Sequence, residues 1–172
     1  VGKRCGNHNM KQEDINRLLV EVAQSDRVVV RLKGGDPYIF GRGGEEVLSL
    51  MAAGIAFEIV PGVSSAIAGA AYAGVPVTHR NLACSFAVIT GHENPEKPES
   101  QIQWEKICGI DTLVFLMGVQ YRTAIAKKLL AAGVPPTRPV LFVSHATRPQ
   151  QHTHKFLLSE VPHSQVIHIE TP

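Results

Sequence analysis

The chain has 172 residues, of which 44% are hydrophobic and 19% are charged, the composition of a chain that folds around a core as one large domain or two small ones. Its net charge of +2, from 17 basic and 15 acidic residues, is too even to predict a nucleic-acid partner. No apolar stretch is long enough for a transmembrane helix, and no secretory signal opens the sequence, so we expect no membrane partner. Because the first residue is Val rather than Met, we expect a fragment or a processed product.

The first half of the chain alternates helical and strand patterns. Apolar residues recur at helical spacing near the start, and β-branched runs bounded by glycine and proline follow. The predicted elements are a helix over 12–23, a strand over 28–32, a helix over 44–53, a strand over 56–60 and a helix over 66–73. The stretch over 76–84 lacks periodicity, and we interpret it as a crossover between two lobes, 1–80 and 81–172.

The second half continues the alternation. The predicted elements are a strand over 85–90, a surface loop over 93–103, a strand over 112–117, a helix over 121–132, a strand over 140–144 and an antiparallel pair formed by 153–158 and 165–170. Strands that alternate with helices predict an α/β fold, with helices packed on the faces of sheets.

Five glycines cluster in the segment 31–46, after one predicted strand and before a helix. Open α/β sheets bind ligands at this position, where glycine lets the backbone approach a ligand closely. The spacing matches neither the GxGxxG pattern of dinucleotide sites nor a P-loop, because Glu46 replaces the third glycine and no Gly-Lys-Ser/Thr follows. The segment therefore predicts a ligand of another kind.

Two charged residues of this segment are candidate ligand contacts. Asp36 offers a carboxylate to a cationic group or a ribose, although an aspartate before Pro37 is also a common start of a turn. Arg42 lies between glycines and can bind a carboxylate through two hydrogen bonds, although a solvated loop arginine is the alternative.

Cysteine and histidine do not predict a metal site. The three cysteines, Cys5, Cys84 and Cys108, have no CxxC spacing, which is typical of reduced thiols in the cytoplasm. His152 and His154 are a close pair, but no cysteine or carboxylate at suitable spacing completes a ligand set, so we interpret them as exposed histidines.

Three segments together resemble one known family: Lys33–Glu46, Val60–Ala66 and Gly74–Arg80. They look like the uroporphyrinogen-III C-methyltransferases of the tetrapyrrole methylase superfamily, which also form the methylating half of sirohaem synthase. The segments Val1–Arg4 and Thr112–Gly118 are similar to the same family. The resemblance is dense up to Gly118 and fades toward the C-terminus.

The resemblance implies a two-lobed tetrapyrrole methylase fold of the α/β class, with an incomplete N-terminal lobe containing a parallel sheet and a C-terminal lobe containing a mixed sheet. It implies a cytoplasmic homodimer that holds S-adenosyl-L-methionine in the cleft and releases S-adenosyl-L-homocysteine. The substrate would be uroporphyrinogen III, converted through precorrin-1 to precorrin-2 for sirohaem or cobalamin biosynthesis. No metal takes part.

The resemblance also assigns roles to single residues. Lys3 matches a proton donor and Arg42 a residue that acts on the substrate, whereas Arg4 and Arg80 are candidates for binding its carboxylates. The positions that match cofactor contacts are Gly34, Gly35, Asp36, Ile39, Ser64, Ser65, Met117 and Ala146. For Lys3 and Arg4, a solvated charge near the chain terminus is the alternative.

The chain departs from the family pattern in two places. A Gly-x-Gly-Pro-Gly-Asp turn and the aspartate assigned as proton acceptor are missing, and Ala146 within Ser144–Thr147 replaces a glycine. A methylase for another tetrapyrrole, or for a protein or RNA, and an inactive truncated copy that only binds ligand or dimerises therefore remain as alternatives.

Overall fold

The computed structural model describes residues 10–25, 27–92 and 100–164, together with the backbone of residues 3–4 and 7–8. The described residues form two compact units, the first ending at Ser64 and the second beginning at Ser65. The lobe boundary expected between residues 80 and 81 stays a prediction. Within the described ranges, none of the helices is long and apolar enough to cross a membrane.

The first unit contains two short strands and two helices. In chain order they are β1 (Lys3–Arg4), β2 (Asn7–His8), α1 (Gln12–Ala23) and α2 (Gly43–Ala52), with β1 antiparallel to β2. Helix α1 has its predicted bounds, and α2 is the predicted helix displaced by one residue. The two helices pack together and bury Ile15, whereas Leu18 and Val22 on the same face of α1 remain more than a third exposed.

The strands predicted over 28–32 and 56–60 are wrong. Both segments lack strand structure, and no strand among the described residues pairs with either. A β-branched run becomes a strand only where a neighbour satisfies its backbone N–H and C=O groups. Without that neighbour, Val28 is 95% exposed and Leu32 is 84% exposed.

The second unit alternates strands and helices. Its elements are α3 (Ser65–Tyr72), β3 (Phe86–Thr90), α4 (Trp104–Ile107), β4 (Thr112–Leu116), α5 (Arg122–Ala131), β5 (Pro139–Ser144) and β6 (His152–Leu157), with 3₁₀ turns at Val119–Tyr121 and Val161–His163. Except for the short helix α4 and the 3₁₀ turns, each is a predicted element close to its predicted bounds. The loop expected over 93–103 lies partly outside the described residues.

Strand pairing in the second unit is of two kinds. Strand β3 is parallel to β4, from Phe86 opposite Thr112 to Thr90 opposite Leu116. Strand β6 is antiparallel to β5 rather than to the expected partner over 165–170, which lies outside the described residues. Parallel and antiparallel pairs with packed helices confirm the α/β class.

A hydrophobic core holds the second unit together. Its ring contacts are Trp104 stacked on Phe115, with centroids 6.3 Å apart, and Phe142 edge-on to Phe156 at 5.8 Å. The buried members are Trp104, Ile125, Ala126, Leu129, Val134, Leu158 and Val161. The core therefore joins α4, α5 and the sheets into one packed body.

Two glycines meet where the parallel strands end. Gly91 follows β3, Gly118 lies just beyond β4, and the Gly91 N–H donates to the Leu116 carbonyl over 2.7 Å. A Cβ on Gly91 would lie 2.2 Å from the Cα of Gly118. No side chain fits between the two backbones, so the carboxyl end of this pair requires glycine.

The Asp111 carboxylate links the amino ends of strands β3 and β4. Asp111 Oδ2 accepts hydrogen bonds from the N–H groups of Cys84 and Ser85, at 2.9 and 3.0 Å, and from the Ser85 hydroxyl at 2.8 Å. The Cys84 thiol also donates to it over 3.2 Å. Chiefly the Ser85 hydroxyl and then the Cys84 thiol hold the pKa of Asp111 below its ordinary 3.8, and the Asp111 carboxylate raises the pKa of Cys84.

We expect Gly91→Ala to destabilise the protein by about 1–3 kcal/mol or more, because the new methyl group would overlap the Gly118 backbone. Gly109→Ala is the matched control, since a Cβ there would meet nothing within 4 Å. Urea unfolding of both variants measures the difference. Equal free energies of unfolding would contradict the close approach of the two glycines.

The lowered pKa of Asp111 predicts a pH-dependent contribution to stability. Because the folded-state pKa lies below the ordinary 3.8, the contribution is present above pH 3.8 and is lost as the pH falls through the folded-state value. Asp111→Asn should therefore be less stable than wild type at about pH 7 and approach it at a pH well below the ordinary pKa. Urea unfolding at both pH values tests this, with exposed Asp14→Asn as the control. A stability difference independent of pH would contradict it.

Candidate functional site

The glycine-rich segment forms a loop, here called the glycine loop (residues 33–44), that ends at the start of α2. Asp36 fixes its first turn, because its Oδ1 accepts the Tyr38 N–H over 2.8 Å and its Oδ2 accepts the Gly62 N–H over 3.1 Å. These two bonds, that from Tyr38 first, hold the pKa of Asp36 below its ordinary 3.8. The carboxylate therefore ties the glycine loop to the Pro61–Gly62 turn.

Glycine is needed where the glycine loop contacts other backbone. A Cβ on Gly62 would lie 2.2 Å from the Gly35 carbonyl oxygen, and one on Gly41 or Gly43 would lie 2.6 Å from the Pro37 carbonyl oxygen. Gly35 has a φ of +70°, in the left-handed region that favours glycine. Close packing of backbone on backbone thus sets the path of the glycine loop.

One face of the glycine loop is open. A Cβ on Gly34 would meet nothing within 4 Å, and within the described ranges no hydrogen bond uses the N–H or C=O groups of Gly34 or Gly35. Buried Ser64 comes close, its Cα lying 4.0 Å from the position of a Cβ on Gly35. The structure therefore brings Gly34, Gly35, Asp36 and Ser64 together, with peptide groups available to a ligand.

A buried ionic cluster, formed by Gln12, Arg31, Lys33 and Glu46, lies directly before Gly34. The Lys33 ammonium donates to both carboxylate oxygens of Glu46 at 3.0 Å, and Arg31 Nη2 donates to Oε1 at 3.3 Å. Gln12 Nε2 donates to the same oxygen at 3.2 Å. We did not predict this cluster from the sequence. Its signal is the position of Glu46 four residues before buried Leu50, which places a carboxylate on the buried side of α2.

Arg42, the predicted substrate arginine, caps α2 with a left-handed φ of +57°. Its guanidinium binds Glu45 through two hydrogen bonds of 2.6 Å, from Nε and Nη2. This pair raises the pKa of Arg42 and leaves about half of each side chain exposed. The Arg42 guanidinium thus already makes the predicted pair of hydrogen bonds to a carboxylate, but that carboxylate belongs to Glu45 of α2.

The remaining predicted site residues of the first unit are Ile39, Lys3 and Arg4. Ile39 lies in the glycine loop, and its N–H donates to the Asp36 carbonyl over 3.3 Å. Lys3 and Arg4 belong to β1, and their side chains lie outside the described residues. Their predicted roles stay predictions.

The second unit places its predicted site residues at element ends. Ser65 is the first residue of α3 and is exposed, Met117 directly follows β4, and Ala146 lies two residues after β5. Met117 has a φ of +58°, and the neighbours of Ala146, His145 and Thr147, have φ values of +49° and +72°. Left-handed backbone at non-glycine residues after strands is typical of functional sites.

Helix α3 links two of these positions within the second unit. It packs against β4, and a Cβ on its Gly69 would lie 3.7 Å from the Ala146 methyl group. Gln151 holds the turn that contains Ala146, because it accepts the Thr147 N–H at 2.9 Å and donates to the Tyr72 carbonyl at 3.1 Å. The predicted contact at Arg80 is exposed, and its guanidinium has no partner among the residues described.

The sequence matches one family model. Residues 1–162 match the Tetrapyrrole (Corrin/Porphyrin) Methylases. Curated relatives include an S-adenosyl-L-methionine-dependent uroporphyrinogen III methyltransferase of Methanosarcina barkeri, 50% identical over 88% of this chain and 60% of the relative. A siroheme synthase of Actinobacillus pleuropneumoniae is 44% identical over 94% of this chain and 33% of the relative. The chain thus spans less than two thirds of these relatives.

Solved structures agree with this similarity. The uroporphyrin-III C-methyl transferase of Thermus thermophilus, solved in complex with S-adenyl homocysteine, superposes with a TM-score of 0.79 at 44% identity. The match covers 91% of this chain and 68% of that structure. The similarity therefore extends to the fold as well as to the sequence.

We expect Gly62→Ala to lower the free energy of unfolding by about 1–3 kcal/mol, because its methyl group would collide with the Gly35 carbonyl oxygen. Gly44→Ala is the control, since nothing lies within 4 Å of its Cβ position and alanine favours a helix. Urea unfolding compares the two variants. A Gly62→Ala protein as stable as the control would show that the glycine loop does not contact this turn.

Proposed function

The chain belongs to the tetrapyrrole methylase family, and we propose that it is a uroporphyrinogen-III C-methyltransferase that uses S-adenosyl-L-methionine. The observation that carries this proposal is the open peptide backbone of Gly34 and Gly35, held in place by Asp36. The names of the similar proteins from Methanosarcina and Thermus support the same donor and acceptor. The product would be precorrin-2, formed through precorrin-1.

The residues present fit a nucleoside with an amino-acid tail. Gly34 leaves room where any other residue would place a Cβ, and the N–H and C=O groups of Gly34 and the N–H group of Gly35 can bind polar groups of the donor. In the first unit, Gly34, Gly35, Asp36, Ile39 and Ser64 would hold the donor. The family resemblance adds Ser65, Met117 and Ala146 as further candidates. When bound, S-adenosyl-L-methionine supplies a methyl group already activated by its sulfonium.

The donor needs orientation more than further activation, and a rigid loop provides it. Asp36 uses both carboxylate oxygens to bind backbone N–H groups, so its side chain acts by holding the peptide path of the glycine loop. Holding reacting groups in line is worth many orders of magnitude in rate when the geometry is kept. Asp36 is therefore a positioning residue in this proposal, as well as a predicted cofactor contact.

Arg42 would bind a carboxylate of the substrate. Its guanidinium is half exposed and already grips a carboxylate, that of Glu45, with the two-point geometry that substrate binding requires. A substrate carboxylate would replace Glu45 at these hydrogen-bond donors. Arg4 and Arg80 stay candidates for further carboxylates, and Lys3 stays the candidate proton donor.

Homodimer formation, a cytoplasmic location and the two-lobed division at residue 80 belong to the same proposal. They rest on the family resemblance and on the matches to known methyltransferases. The absence of nucleic-acid, membrane and metal partners rests on composition and motifs. Sedimentation of the complete protein would measure its oligomeric state.

Calorimetry and product analysis test the proposal. The complete protein should bind S-adenosyl-L-homocysteine, and with S-adenosyl-L-methionine it should add first one and then two methyl groups to uroporphyrinogen III, as read by mass. Arg42→Gln should raise the KM for uroporphyrinogen III about tenfold and leave the Kd for S-adenosyl-L-homocysteine unchanged. Arg17→Gln, which removes another exposed arginine of an ion pair, is the control.

Three results would contradict parts of this proposal. Failure of the complete protein to bind S-adenosyl-L-homocysteine would overturn it. Methylation of another tetrapyrrole, without any of uroporphyrinogen III, would replace the substrate. Equal loss of both affinities in Arg42→Gln would remove the substrate role of Arg42 and indicate a collapsed glycine loop.

A further inference from the structure

Side chains of the ionic cluster hold Lys33, the residue directly before the open glycines. Within the ranges that the structure describes, the N–H and C=O groups of residues 33–35 take part in no hydrogen bond. The segment over 28–32 has no strand partner there either. On this side, the contacts that the structure shows next to Gly34 are those between Lys33 and Glu46.

Glu46 is the centre of that cluster. The side chains of Glu46, Lys33 and Arg31 are 4%, 12% and 25% exposed, so their charges interact with little screening by water. One carboxylate receives two cations and the Gln12 amide. It also lies in the first turn of α2, where the helix dipole favours a negative charge.

Stability alone does not account for this arrangement. Burying three charged side chains costs desolvation, and a well-packed apolar set is often as stable or more stable. Arg31 Nε is buried without a hydrogen-bond partner in the described part of the chain, so the cluster is also incompletely satisfied. What the cluster does provide is a fixed position for Lys33, because two hydrogen bonds of 3.0 Å hold its side chain one residue before Gly34.

We propose that Glu46 is a positioning residue for the donor site: through Lys33 it holds the peptides of Gly34 and Gly35 where S-adenosyl-L-methionine binds. This inference rests on the proposed function. Asp36 holds the far side of the same peptides, so the open backbone lies between two carboxylates that act on it from opposite ends of one short segment. Glu46 itself touches neither donor nor substrate.

Glu46→Gln tests this inference, because the amide keeps the shape of the side chain and removes its charge. In the complete protein we expect the Kd for S-adenosyl-L-homocysteine to rise about tenfold or more. Amide hydrogen exchange at Tyr38 and Gly62, whose N–H groups bind Asp36, should accelerate by a similar factor, since the glycine loop loses one of its two anchors. Exchange in α5 should not change.

Two further variants separate positioning from general stability. Lys33→Met should reproduce both effects and Lys33→Arg should restore most of the affinity, because an arginine keeps the charge that Glu46 binds. Combining Glu46→Gln with Lys33→Met should cost little more than either change alone, as expected of residues that act together. Asp14→Asn, an acid-to-amide change in an exposed pair on α1, is the control.

The outcomes are distinct. Unchanged affinity in Glu46→Gln, or unchanged exchange at Tyr38 and Gly62, overturns the inference even if the melting temperature falls. A wild-type protein that does not bind S-adenosyl-L-homocysteine overturns the proposed function instead, and the exchange measurement then decides by itself whether Glu46 positions the glycine loop. If Glu46→Gln does not fold, Lys33→Met and Lys33→Arg carry the same comparison.

Discussion

The hydrogen bonds of Asp36 are the constraint on which the candidate site depends. One carboxylate receives the N–H groups of Tyr38 and Gly62, residues that are far apart in sequence. It thereby closes the first turn of the glycine loop and draws the Pro61–Gly62 turn against it, at a separation that only glycine permits. The Gly35 carbonyl oxygen packs against Gly62, whereas Gly34 remains open, because a Cβ there would meet nothing within 4 Å.

Carboxylates join separate segments at three places among the described residues, two through backbone groups and one through side chains. Asp36 and Asp111 bind backbone N–H groups and have lowered pKa values, so each favours its charged form in the folded state. Glu46 instead binds side-chain cations in a buried cluster. All three join segments that are distant in sequence, Asp111 at the start of the β3–β4 pair and the other two outside any strand pair of the described residues.

The sequence predicted the helices and the strands of the second unit, but it did not predict the unpaired segments over 28–32 and 56–60 or the charge partners. Helix α1 follows from local periodicity, whereas the strands over 28–32 and 56–60 depend on a neighbour that local pattern does not reveal. Asp36 was expected to face a ligand or to begin a turn; the structure shows the turn, and local pattern could not show that the second oxygen binds Gly62. Pairing of Arg42 with Glu45 and burial of Glu46 likewise depend on helix geometry and tertiary packing.

The exposed valines over 28–32 have a practical consequence for handling the polypeptide. An extended β-branched segment with unpaired backbone is a template for intermolecular association, and proteins commonly protect such segments with lysine or arginine gatekeepers. Here Arg31 and Lys33 turn toward Glu46 and are largely removed from water. Two of the charges near this segment are thus directed toward the interior, and exposed Arg27 remains before Val28 as the charge that can deter association of these 172 residues.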